Sequence, residues 1–269
     1  MNIPLRYRIQ ELKMTLNTIR WFTATTAAST AVIVNIPSAN VLVYDRGKVI
    51  LESRVIVGKR STPTSTLSSR ITEVILYPYW VVPKRIATRE LLPIIKRNIG
   101  YLDENAIQVI NLQGKVMNPY HINWKELSAS YFPYVLRQST GCDNSLGLVK
   151  LNFYNPFTTY LHDTPWKSLF RLNKRYFSHG CIRVEKAIEL ARLVLNDNRQ
   201  AIDTVTEKGC LKNQSPIAIH ASNEIPVFVL YQTAWVDSSA TVRFEEDIYQ
   251  RLRYLRPGSQ LTNKSLVVK

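Results

Sequence analysis

The stretch "SHGCIRV" sets the Cys181 thiol one glycine away from the His179 imidazole, and a second imidazole, His162, stands upstream in "YLHDTP". A thiol and an imidazole together can carry out nucleophilic acyl transfer. The base removes the thiol proton and the thiolate attacks a carbonyl carbon. Residues 185–195 repeat apolar side chains at helical spacing, so Cys181 is expected at the mouth of a helix. Unpaired N–H groups and the positive end of the helix dipole favour a thiolate there. Gly180 allows close backbone approach and lets successive N–H groups aim at a developing oxyanion. In an extended segment His179 and Cys181 point the same way, so His162 and His179 both stand as candidate bases. A lone cysteine is most often a small buried hydrophobe and a lone histidine a satisfied hydrogen-bonding group. It is the joint His-Gly-Cys at a predicted helix start that singles these residues out.

Other chemistry is sparse. With Cys142, Cys181 and Cys210 in one chain, at least one thiol stays free, and the sequence does not choose whether Cys142 pairs with Cys210. His121, His162, His179 and His220 show no metal-ligand spacing with the cysteines, so no metal is expected. No cofactor is expected either, since a thiolate and an imidazole suffice for acyl transfer.

A formal charge of +15 predicts attraction to an anionic surface or polymer. The basic residues are scattered in pairs such as Lys59-Arg60 and Lys174-Arg175, with no zinc-finger, RNA-recognition or Arg-rich motif, so nucleic acid is not the expected partner. No run reaches the length of a transmembrane helix. The first residues read as a short amphipathic helix, with Ile9, Leu12, Leu16 and Ile19 on one stripe and no apolar core of a signal peptide.

The elements that must position these residues are mostly strands. Residues 40–45 and 48–57 read as a hairpin about Asp45-Arg46-Gly47, and another strand follows at 71–77. From 83 to 137 the pattern changes. "TRELLPIIKRN" is helical but broken by Pro93, "AIQVINLQGKV" turns at Gln113-Gly114, and "NWKELSASYF" suggests a short helix capped by Asn123. An insertion of that length is usually a lid or binding loop. Strands resume in "LVKLNFY" and at His162, helices are expected at 185–195 and 199–208, and β patterns close the chain. The expected fold is therefore mainly β with peripheral helices.

"YLHDTP" and "SHGCIRV" stand fifteen residues apart (163–177), which resembles the signature of the L,D-transpeptidases, cysteine enzymes that cross-link peptidoglycan. "VNIPSANVLVYDRGKVILESRVIVGKRSTPT", "PYWVVP", "RQSTGCDNSLGLVKLNFYNP" and "VLYQTAWVD" agree in order, over residues 16–249. The resemblance is strongest to the larger subfamily with a substrate-capping lobe. It implies a β-sandwich catalytic domain over 29–208 with the lobe inserted at 83–137. A helical segment (1–28) precedes it, and C-terminal strands and a helix (209–269) pack on it.

The resemblance further implies that Cys181 attacks the diaminopimelate carbonyl of a tetrapeptide stem, releases terminal D-alanine, and passes the acyl group to a second stem. His162 would be the base, oriented through the backbone at Asp163. His179 and Gly180 would shape an oxyanion pocket. Arg183 would bind a stem carboxylate, against the plainer reading of an ion pair with Glu185. Tyr160 and Asn144 would line the cleft. Peptidoglycan stems, with other cell-wall synthesis proteins, are the implied partners, and the periplasm or cell envelope the implied location, the chain being the C-terminal catalytic part of an exported protein or a short member. A hydrolase or protein-anchoring variant would share the acyl-enzyme, and a catalytically idle wall-binding scaffold would keep the fold alone. One departure stands out: "STGCDNSLG" replaces a proline-rich turn common in relatives, which puts Cys142 in a loop near the site.

Overall fold

A computed structural model describes residues 3–26, 29–196, 200–208 and 214–252. Helix α1 (Leu5–Thr26) leads into β1 (Ala31–Asn35), β2 (Asn40–Asp45), β3 (Lys48–Gly58) and β4 (Leu67–Leu76). The next part carries β5 (Trp80–Val81), helices α2 (Lys84–Ile86), α3 (Leu92–Ile95) and α4 (Tyr101–Glu104), then β6 (Ile107–Asn111), β7 (Val116–Met117) and β8 (Tyr134–Gln138). The main body resumes with β9 (Val149–Phe153), β10 (Leu161–His162), β11 (Tyr176–Ser178) and β12 (Ile182–Val184). Helices α5 (Ala187–Leu195) and α6 (Gln200–Lys208) precede β13 (Ile217–Leu230), β14 (Ala234–Val236) and β15 (Val242–Phe244). The fold is mainly β with helices at its periphery.

Nine strands form the main sheet in the order β11-β3-β12-β10-β9-β4-β13-β1-β2. Because β2 bonds both β1 and β3, the sheet closes on itself. Alternation along the strands sorts the side chains. Val32 and Val34 enter the main core with Val41, Val43, Val55 and Val57, while Ile33 and Leu42 face the other way, under Trp235. The α5 residues Ala187, Leu190, Ala191, Val194 and Leu195 fill the same main core. Strand β13 lies between β4 and β1, so this part of the C-terminal region is inside the main sheet and does not merely pack on it.

Residues 80–138 hold a separate small core of Val82, Leu91, Leu92, Ile95, Leu102, Val109, Trp124 and Leu136 beside a four-stranded sheet, β5-β8-β6-β7. Its helix does not break at Pro93. A π-turn over Ala87–Leu91 joins α2 to α3 and lets the chain pass the proline, which has no N–H to give the ladder. Asn123 makes no side-chain cap, and Trp124–Glu126 is one 3-10 turn.

Two local expectations change. The α1 stripe of Ile9, Leu16 and Ile19 is exposed, because the helix docks through Thr15, Thr18 and Phe22, the last packed against Tyr44 and Phe228. Thr15 Oγ1 donates to the Ala234 carbonyl (2.7 Å), and Gln232 Nε2 donates to Thr18 Oγ1 (2.9 Å). Cys181 does not open a helix either, since β12 follows it and α5 begins only at Ala187. Among the described residues no helix is long and apolar enough to cross a membrane.

Candidate active site

Strand β10 is only two residues long, yet it fixes the site. It runs parallel to β12 (His162↔Arg183) and antiparallel to β9 (His162↔Lys150). Residues abreast on neighbouring strands project from one face of a sheet, and Lys150, His162 and Arg183 all line one cavity of about 650 Å³. Tyr160, Ser178, His179, Gly180 and Cys181 line it from the same body, while Tyr79, Trp80, Pro83, Arg85 and Ile86 face it from the lobe side.

His162 is buried, and its Nδ1 lies 2.5 Å from the Asp163 carbonyl oxygen. A carbonyl only accepts, so Nδ1 carries the proton and Nε2 keeps a lone pair in the neutral ring. Burial lowers the His162 pKa to about 3, helped by the Arg183 and Lys150 charges and opposed by the Asp163 carbonyl. The imidazole is therefore neutral at neutral pH.

Asp163 itself is buried. Its Oδ2 accepts from Leu148 N (3.0 Å) and its Oδ1 meets Lys167 Nζ (2.5 Å). Gly147, at φ +61, packs so closely that a Cβ there would lie 2.3 Å from Asp163 Oδ2. Only glycine admits both the conformation and the contact.

Cys181 is free and half-buried, its Sγ 3.8 Å from the Thr158 carbonyl. Burial pushes the thiol pKa up. The Tyr160 N–H and hydroxyl pull it down by hydrogen bonding to the sulfur, with further help from the Lys150 and Arg183 charges. Burial also raises the Tyr160 pKa, so its hydroxyl remains a donor. The helix terminus plays no part in this balance.

The loop between β11 and β12 is tied down from several sides. Gly180 adopts φ +118 and its N–H donates to Ser178 Oγ (3.2 Å), whereas its carbonyl accepts from Thr64 Oγ1 (2.8 Å). Its N–H is thus engaged within the loop, and its backbone shape is what the turn requires. His179 Nε2 lies 2.9 Å from Glu90 Oε1 on the π-turn of the lobe, which directs this imidazole to the lobe.

Arg183 stacks its guanidinium 5.3 Å from the Trp166 ring centre. Glu185 is held by Arg54, through Nε at 2.8 Å and NH2 at 2.5 Å, so the Arg183–Glu185 pair does not form. Asn144 is not on the cavity wall. It is buried in its own loop, where Nδ2 donates to the Ser139 carbonyl and Oδ1 accepts from Leu146 N, both at 2.7 Å. Its neighbours Ser145 and Leu146 reach the cavity instead. Cys142 is disulfide-bonded, and Cys210 lies outside the described residues.

Sequence reading missed Lys150. In "LVKLNFY" the alternation of Val149, Leu151 and Phe153 puts Lys150 on the face away from the core, but nothing in that pattern says that a cavity lies there. Among the described residues no cluster of three or more His, Cys, Asp or Glu could hold a metal ion.

The low His162 pKa carries a stability consequence. An unfolded His162 takes up a proton near its ordinary 6.5, whereas the folded one does so only near 3. Between those values the unfolded chain binds more protons, so stability falls as pH drops through this window. Urea midpoints of wild type and His162→Gln at neutral and mildly acidic pH should show a smaller acid loss in the variant. Equal losses would remove His162 from the acid response.

The fold and site together define a mainly β protein whose cleft is built around one free cysteine and one neutral, backbone-held histidine. The chain belongs to the YkuD family, the L,D-transpeptidase catalytic domain, whose family model matches residues 29–205. A Haemophilus influenzae protein named "Putative L,D-transpeptidase" is 38% identical over 221 residues. That alignment covers 81% of this chain and 44% of the relative, so the chain spans less than half of that protein's length. Among solved structures, an L,D-transpeptidase from Mycobacterium smegmatis is 14% identical, with 76% of this chain and 59% of that one covered at a TM-score of 0.34. L,D-transpeptidase 3 from Mycobacterium tuberculosis is 10% identical, covering 75% of this chain and 61% of the other at a TM-score of 0.35.

Proposed function

We propose that this chain is an L,D-transpeptidase acting on peptidoglycan tetrapeptide stems in the cell envelope. The observation that carries the reading is the tautomer of His162. Its Nδ1–H is committed to the Asp163 carbonyl, which leaves Nε2 as a base in the cavity that holds the Cys181 thiol.

In the first half-reaction Nε2 takes the Cys181 proton as the sulfur attacks the diaminopimelate carbonyl carbon. The tetrahedral oxyanion is met by the Cys181 N–H, since the Gly180 N–H is engaged with Ser178. Collapse breaks the C–N bond, and the imidazolium returns its proton to the departing D-alanine amine. In the second half-reaction an amine of another stem attacks the thioester, Nε2 accepts its proton, and the thiol is restored. Arg183, stacked on Trp166 and clear of Glu185, offers two parallel N–H donors to a stem carboxylate. Tyr160 steadies the sulfur. The lobe caps the donor stem, with His179 tied to Glu90 at its edge.

Intact-mass spectrometry with a carbapenem is expected to show a covalent adduct on wild type and none on Cys181→Ala. Incubation with disaccharide-tetrapeptide should release D-alanine and yield a dimer. A wild type that forms no adduct and releases no D-alanine would sink the reading. Release without dimer would assign a hydrolase using the same acyl-enzyme.

A further inference from the structure

Arg183 on β12, His162 on β10 and Lys150 on β9 stand abreast on three adjacent strands and open into one cavity. Among the described residues no Asp or Glu lines that cavity, while Arg85, Lys150 and Arg183 do. A buried cation is costly unless something anionic faces it. Under the reading above Arg183 has a substrate carboxylate to meet. Lys150 has its Nζ 4.3 Å from the centre of the Tyr160 ring, and that same tyrosine presents its hydroxyl and N–H to the Cys181 sulfur.

We propose that Lys150 is a positioning residue for the nucleophile: its ammonium, held over the Tyr160 ring, is the positive charge against which the Cys181 sulfur ionises. It does from a strand what a helix terminus does elsewhere, and it rests on the reading of Cys181 as the nucleophile. Tyr160, His162 on β10, Arg183 on β12, Lys150 on β9 and His179 on the adjoining loop, with Tyr79 and Arg85 from the lobe side, are the ionisable groups on the cavity wall. His162 is neutral, and of the three cations on the wall Arg85 stands on the lobe side, whereas Lys150 and Arg183 stand abreast of His162 on the sheet. Burial drives the Lys150 pKa down and the Cys181 charge holds it up, with Glu73 on β4 a smaller influence. The Glu73 carboxylate is engaged with Asn152 Nδ2 at 2.7 Å.

Lys150 keeps its proton throughout. The thiol proton goes to His162 Nε2, the sulfur electron pair forms the S–C bond, and the leaving amine collects the proton when the C–N bond breaks.

Alkylation of Cys181 by iodoacetamide, followed by intact mass from mildly acidic to alkaline pH, tests this without any stem peptide. Lys150→Met is expected to slow alkylation at neutral pH about tenfold, a midpoint raised by about one unit. Lys150→Arg should restore most of the rate. Replacing this half-buried cation by an apolar chain of similar length should not unfold the domain, which thermal unfolding checks. An unchanged alkylation profile in Lys150→Met would overturn the proposal. If that profile came with a raised KM for the tetrapeptide, Lys150 would be a carboxylate-binding residue instead. A wild type that forms no carbapenem adduct and releases no D-alanine would sink the functional reading, whatever the alkylation profile showed.

Discussion

His162→Gln is expected to lower D-alanine release about 10³-fold, within the range lost when a positioned general base is removed. Glutamine fills much of the same volume and can still donate to the Asp163 carbonyl, so the loss would reflect the missing Nε2 lone pair and not a collapsed pocket. His179→Ala should cost less than about tenfold, because that ring is bound to Glu90 and acts on the site only through a half-exposed contact. The pH profile separates the two roles further. With its pKa lowered to about 3, His162 stays unprotonated as the medium is acidified, so the acid limb of kcat/KM should lie well below pH 6. A comparable loss in His179→Ala, with His162→Gln active, would transfer the base role to the nearer histidine.

Gly147→Ala is expected to destabilise the fold by about 3 kcal/mol and to cut turnover about a hundredfold, though residue 147 touches no reacting atom. The added Cβ would sit 2.3 Å from Asp163 Oδ2 and 2.7 Å from Asp163 Cβ, at a φ of +61 that side chains resist. Asp163 cannot retreat easily. Its carboxylate is fixed by Leu148 N and Lys167, and its own N–H donates to the Val149 carbonyl at 2.9 Å. Any shift of Asp163 moves the carbonyl that holds His162 Nδ1, and a displaced imidazole no longer aims Nε2 at the thiol. Urea unfolding together with steady-state D-alanine release measures both effects. A variant of wild-type stability and turnover would show that the Asp163 turn is soft, and the proposed positioning of His162 would lose its support.

Much of the architecture was legible before any coordinates. The hairpin read at 40–45 and 48–57 is found as β2 and β3. The turn at Arg46-Gly47 sits between β2 and β3, and the hairpin at Gln113-Gly114 joins β6 to β7. These are local signals, carried by side-chain period and turn chemistry. The misreadings share one cause. The helical spacing after Cys181 was real, but it begins beyond Ile182–Val184, whose β-branched residues pair with β3 and β10 and separate Cys181 from the helix. The Asn144 reading failed because a polar residue in a loop near a cleft can serve the loop as readily as the cleft. The α1 stripe pointed outward because Thr15 and Thr18 found partners at Ala234 and Gln232, more than two hundred residues away.

By itself the sequence determined the family, the thiol and imidazoles able to do chemistry, and the mainly β character, since each is encoded in residue type and short-range spacing. Tertiary structure alone decided what each imidazole is bonded to. It tied His179 to the lobe and fixed the proton of His162 with a backbone carbonyl. It also placed Lys150 on the wall of the cavity that holds Cys181, through a strand register that no local pattern states. Backbone hydrogen bonding between strands, not side-chain spacing along one strand, sets which residues stand abreast, and the proposed chemistry depends on that row.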